Sequence, residues 1–175
     1  MNFVVMGIDR IGKNTFIDNV LRMYDPSLTE IHLSKPPAGE DPLIFSKTEY
    51  AEYFTSLQKK DHLVYNRGHI DEFVYGPLYR EQNTYWLKIY EQEFADDLDN
   101  TVFILLFGDN GVVLEDDGKS IDYSRRMEEQ DLFLQHFQES RVHNKMLIKT
   151  VNREGYRTVD DIRADFEQKL KQMGR

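Results

Sequence analysis

The chain has 175 residues, 22 Lys+Arg against 31 Asp+Glu, and 40% hydrophobic content, proportions that fit one globular domain spanning 1–175. It contains no cysteine, which excludes disulfide scaffolds, thiolate metal sites and thiol catalysis. A net charge of −9 argues against a broad duplex-nucleic-acid surface, and no apolar run approaches the roughly 20 residues that span a bilayer. The opening residues lack a signal-peptide pattern, so a cytoplasmic protein is expected.

Short apolar runs alternate with helical patterns. Phe3 to Met6 reads as a buried strand, followed by a glycine loop and a helix over Lys13 to Tyr24. Glu30 to Ser34 reads as a second strand, and the Pro- and Gly-rich stretch Pro36 to Pro42 as loop. Thr48 is the expected N-cap of a helix running to Lys59, which Ile44-Phe45-Ser46 would precede. His62 to Tyr65 predicts a third strand and Asn66-Arg67-Gly68-His69 a polar turn. Helices are expected over Asp71 to Arg80 and Thr84 to Leu98. Val102 to Phe107 is the strongest strand pattern; a charged helix follows from about Tyr123 to Arg141, then a strand over Lys145 to Val151 and a helix over Val159 to Met173.

Such alternation predicts a three-layer α/β fold, a five-stranded parallel sheet with helices on both faces. Ligands bind such sheets at the carboxyl ends of the strands. Gly7-Ile8-Asp9-Arg10-Ile11-Gly12-Lys13-Asn14-Thr15 sits at such an end and matches G-x-x-x-x-G-K-[ST] except at its last position. Its glycines let backbone N–H groups curl round a phosphate, at a helix N-terminus that adds positive potential. Gly7, Ile11, Gly12, Lys13, Asn14 and Thr15 are the resulting ATP contacts, with Lys13 reaching the β- and γ-phosphates.

Gly-x-Asp-Arg-x-Gly-Lys resembles the P-loop of thymidylate kinases that carry an arginine inside the loop. The resemblance implies a P-loop nucleoside monophosphate kinase-like fold and transfer of the ATP γ-phosphate to a pyrimidine deoxynucleotide such as dTMP or a 5-substituted analogue. It implies that Arg10 stabilises the transferred phosphoryl group and that Asp9 contacts the acceptor sugar. Lys35, in Ser34-Lys35-Pro36-Pro37, and Arg67, in Asn66-Arg67, would hold the acceptor phosphate. The segment Gly68 to Arg80 is similar to that following Asp-Arg in compact, virus-encoded deoxynucleotide kinases; within it Glu72 and Tyr75 are acceptor-base candidates, and Phe45 the stacking candidate. A lid-like segment over about 110–127 would bring Arg126, or its neighbour Arg125, onto the ATP phosphates, and Arg153 would lie by the adenine. The resemblance further implies small nucleotides as partners and a homodimer built on helices flanking the sheet.

Two positions depart from the family pattern, and both concern Mg2+. Asn14 replaces the hydroxyl that ligates the ion, and Asn66 the carboxylate that holds it through water. An amide carbonyl is an acceptable hard ligand but lacks the charge. Thr15, one residue late, would face the helix–sheet packing. Two other readings follow: a nucleotide-binding regulator or inactive kinase, and a kinase acting on a nucleoside, a polynucleotide end or a modified base in DNA.

Overall fold

Phe3, Val4 and Val5 are fully buried and form β1 (Asn2–Met6), the strand around which the sheet is assembled. In the computed structural model, which describes residues 1–33, 38–109 and 122–175, β1 pairs in parallel with β3 (Leu63–Asn66) on one side and β4 (Thr101–Gly108) on the other. β2 (Thr29–His32) extends the sheet beyond β3, and β5 (Lys145–Asn152) extends it beyond β4, both parallel. The order is β2-β3-β1-β4-β5-β6.

The sixth strand corrects the expected five. β6 (Gly155–Tyr156) folds back antiparallel on β5, with Val151 opposite Tyr156. Two residues leave no apolar periodicity to read; the tight reversal is made by Gly155, whose φ is 120°. β2 begins at Thr29, one residue before the expected Glu30, and ends at His32, while Ser34 of the expected strand lies outside the described residues.

Both faces of the sheet are covered, as continuous apolar strands require. On one face lie α1 (Lys13–Phe16), a π-type turn over Ile17–Leu21, α2 (Arg22–Tyr24) and α7 (Val159–Gln172). Phe166 of α7 meets Phe3 at 6.0 Å and Phe16 at 5.8 Å between ring centroids. The other face carries α3 (Pro42–Lys59), α4 (His69–Arg80), α5 (Tyr85–Phe94) and α6 (Arg126–Glu139). Gly68, which opens α4, lies so close to β1 that a Cβ there would stand 2.5 Å from a Val4 methyl. Buried His69 binds this layer together, partnering the Tyr53 hydroxyl and, through Nε2, Glu91, which also accepts from the Ser140 hydroxyl.

α3 begins six residues before the expected Thr48. Pro42 occupies the first turn, and the Asp41 carboxylate accepts from the backbone N–H groups of Leu43 and Ile44 at 2.9 and 3.1 Å. Ile44-Phe45-Ser46 therefore lies within the helix, and Thr48 donates to the Ile44 carbonyl from its interior. Asp41→Ala is expected to remove about 1 kcal/mol of stability and lower Tm by about 2–4 °C, checked by thermal denaturation beside Thr48→Ala, which should shift it far less.

Among the described residues, no helix is long and apolar enough to cross a membrane.

Candidate functional site

The loop from Gly7 to Gly12 leaves β1 between its neighbours and is held by close packing. A Cβ on Gly7, whose φ is 136°, would stand 2.6 Å from the Leu106 carbonyl oxygen of β4. Arg10 and Gly12 also have left-handed backbones, with φ of 62° and 97°. From β5 the Thr150 hydroxyl donates to the Ile11 carbonyl at 2.6 Å, and from β6 the Tyr156 hydroxyl donates to the Arg10 carbonyl. Lys13 folds back inside the loop, its Nζ donating to the carbonyls of Gly7 at 2.6 Å and Ile8 at 2.8 Å.

A cavity of about 590 Å³ opens over this loop. Asp9, Arg10, Lys13 and Asn14 contribute from the loop, Asn66 and Arg67 from the end of β3, and Tyr156 and Arg157 from β6 and the turn after it. Arg67 also has a left-handed backbone, with φ of 89°. Its guanidinium donates to Asp9 Oδ1 at 3.2 Å, while Lys13 Nζ lies 3.9 Å from the same oxygen. The Asp9 carboxylate thus stands between two cations, one from the start of α1 and one from the end of β3, the place an anionic ligand would take.

Burial dominates the electrostatics. It pushes Lys13 down to about 8, helped by Arg67 and opposed by Asp71 and Asp9. Burial likewise raises Asp71 to about 6 against the pull of Lys13 and Arg67. The Arg67 guanidinium is also disfavoured by burial, but Asp71 and Asp9 hold its pKa above the ordinary value.

Asn14 and Asn66 meet. Asn66 Nδ2 donates to Asn14 Oδ1 at 2.9 Å and to Glu30 Oε1 at 3.1 Å, while Asn66 Oδ1 is buried without a partner. These are neutral and anionic oxygens of the kind that suits Mg2+. Asn14 Oδ1 and Glu30 Oε1 converge on the Asn66 amide, and exchanging the two ends of that amide would add Asn66 Oδ1 as a third oxygen, so the residues present fit the ion.

Five buried polar atoms without a hydrogen-bond partner fall within ten residues: Asn66 Oδ1, Arg67 Nε, Asp71 Oδ1, Glu72 Oε1 and the Tyr75 hydroxyl. Buried polar groups are normally bonded, so among the described residues the segment after β3 holds polar atoms with capacity for a further hydrogen-bonding partner. Glu72 keeps one contact, Oε2 to Arg80 at 2.5 Å, and Tyr75 lies under the Arg67 guanidinium, 5.8 Å from ring centroid to Cζ.

The structure brings together Gly12, Lys13, Asn14, Thr15, Asp9, Arg10, Asn66 and Arg67 at the cavity. Thr15 corrects an expectation: it is exposed at the cavity, and Phe16 takes the buried place against the sheet. Gly7 and Ile11 shape the loop from beneath, and Phe45 is half-buried in the first turns of α3. Three arginines lie away from the cavity. Arg125 makes a two-pronged contact with Glu128 at 2.8 and 2.9 Å, Arg126 opens α6, and exposed Arg153 lies beside Asp109. Lys35, and 110–121 of the lid-like segment, fall outside the described residues.

Asp71, Glu30, Tyr156 and Arg157 escaped the sequence reading. Asp71 lies in the segment Gly68 to Arg80, where an acidic residue in a helix's first turn is the available signal; Glu30 meets Asn66, and Tyr156 and Arg157 line the cavity, only through the fold. Tyr156→Phe is expected to lower stability by about 0.5–1 kcal/mol by freeing the Arg10 carbonyl, measured by denaturant titration.

The solved structures include a fold of this kind. The crystal structure of YorR protein from Bacillus subtilis, in complex with phosphorylated GDP, matches with a TM-score of 0.68 over 99% of this chain and 98% of that one, at 14% identity. That likeness is one of fold. No protein-family model matches the chain, and neither does any curated protein.

Proposed function

We propose that this P-loop kinase-like domain is a deoxynucleoside monophosphate kinase, moving the γ-phosphate of ATP to a pyrimidine deoxynucleotide such as dTMP or a 5-substituted analogue. The observation that carries this reading is the Asp9 carboxylate held between Lys13 and Arg67. A binder of one nucleotide needs a cation from the glycine loop. A second cation, delivered from the next strand to the same anion, suits a reaction in which two phosphates meet.

In this reading Lys13 leaves the Gly7 and Ile8 carbonyls for the β- and γ-phosphates, and Arg10 faces the transferred phosphoryl group. Arg67 turns from Asp9 to the acceptor phosphate, and Asp9, released, accepts from the acceptor sugar. Glu72, Tyr75 and Phe45 contact the acceptor base; Lys35 joins Arg67 on its phosphate. Arg125, Arg126 and Arg153 serve ATP from the lid and the turn after β5. Asn14 and Asn66 would hold Mg2+, which, when bound, neutralises charge on the β- and γ-phosphates. Catalysis is positioning and charge neutralisation, with no covalent intermediate.

One observation favours an inert nucleotide binder instead: the direct hydrogen bond between Asn14 and Asn66 where the family keeps its ion. Incubation with MgATP and each deoxynucleoside monophosphate, 5-substituted pyrimidines included, followed by nucleotide chromatography, separates the readings. ADP and one deoxynucleoside diphosphate appearing together support the kinase. Binding of ATP and monophosphate without any diphosphate overturns it in favour of the binder.

A further inference from the structure

Asn66 Nδ2 stands between two acceptor oxygens on different elements, Asn14 Oδ1 at 2.9 Å and Glu30 Oε1 at 3.1 Å. A centre of positive character shared by oxygens is what a hard cation provides. The other end of the same amide, Oδ1, is buried with no partner, in a residue only 3% exposed.

The two ends of an asparagine amide have nearly the same size and opposite polarity. Exchanging them leaves the buried end as unsatisfied as before, an orphan donor in place of an orphan acceptor. At the other end it directs three oxygens, from Asn14, Asn66 and Glu30, toward one another. Three such oxygens repel unless a cation lies among them, so cation arrival and amide exchange go together. Glu30 brings the full negative charge that neither asparagine has. Its second oxygen, Oε2, accepts from Arg22 at 2.8 Å, which fixes the carboxylate on β2.

We propose that Glu30, on the edge strand, supplies the carboxylate charge for the divalent cation that accompanies the bound nucleotide, forming with Asn14 and Asn66 a three-oxygen site. The proposal rests on the nucleotide-binding reading of the glycine loop. It moves the charged partner from the end of β3 to β2 and makes Asn66 the link between them.

The test uses the full chain with Mn2+ as probe, free Mn2+ being read by electron paramagnetic resonance at saturating ADP. Glu30→Gln is expected to weaken Mn2+ binding in the ADP complex about tenfold, leaving ADP affinity without divalent cation unchanged. Equal Mn2+ affinity in wild type and Glu30→Gln, with ADP bound in both, overturns the proposal alone. Absence of ADP binding to the wild type overturns the nucleotide reading beneath it. Should Glu30→Gln fail to fold, Arg22→Gln decides: removing the competing cation should tighten Mn2+ about threefold, and an unchanged affinity overturns the proposal.

Discussion

Arg67→Ala is expected to lower kcat/KM for the monophosphate acceptor about a hundredfold while ATP affinity changes less than threefold, as for a clamp that positions the acceptor phosphate. Arg67 is 29% exposed, and among the described residues its Nε has no hydrogen-bond partner and its guanidinium makes one ion pair, from Nη2 to Asp9. It therefore contributes little to holding the empty protein together and stands ready for a ligand. Arg67→Lys separates charge from shape. A point charge without the planar fork should recover part of the loss, through KM more than kcat. The measurement is initial-rate kinetics with each substrate varied, beside a thermal melt of both variants. If Arg67→Ala phosphorylates the acceptor at the wild-type rate, the two-cation reading of the cavity is wrong.

The difference between what the sequence announced and what it concealed follows from the range of the contacts. Gly7, Gly12 and Lys13 are legible because the loop's constraint is local: a left-handed backbone, a close approach to a neighbouring strand and a helix start lie within seven residues. Parallel β1, β3 and β4 are legible because burial on both faces demands unbroken apolar runs. The start of α3 was concealed because Pro42 reads as loop chemistry, although its missing N–H costs nothing at a first helical turn. Glu30 was concealed for a different reason. On an edge strand it reads as an ordinary solvated carboxylate, and its meeting with Asn66, thirty-six residues away, exists only once β2 pairs with β3. Tyr156 is the extreme case, 146 residues from the carbonyl it touches, on a strand too short to have a pattern. Residues that the glycine loop brings to the cavity are legible in the sequence; those that reach it from the sheet edges are not.

Lys13→Met is the second large effect. Transfer should fall about a thousandfold, because a preorganised cation aimed at developing charge contributes on that scale. The same variant tests the burial argument independently of activity. Lys13 has a pKa of about 8 in the folded protein against 10.5 for an unperturbed lysine. Between those values the unfolded chain binds the proton that the folded protein has lost, so stability rises with pH across that window. Carried through in full, the shift corresponds to about 3 kcal/mol, at 1.36 kcal/mol per pKa unit. Asp71, raised to about 6, has the opposite slope in a separate window: stability falls as pH rises from about 4 to 6. Denaturant titrations from pH 8 to 10 should therefore show the wild type gaining stability relative to Lys13→Met, and the difference isolates Lys13 from buried tyrosines that titrate above it. Nucleotide phosphates reverse the shift, because they give the ammonium the partner that burial denied it. Binding of ATP at pH 9 is accordingly coupled to uptake of a proton in the wild type and not in Lys13→Met, which calorimetry in buffers of different ionisation enthalpy reads directly. Identical proton uptake by both proteins would place the phosphates away from Lys13, and with them the site.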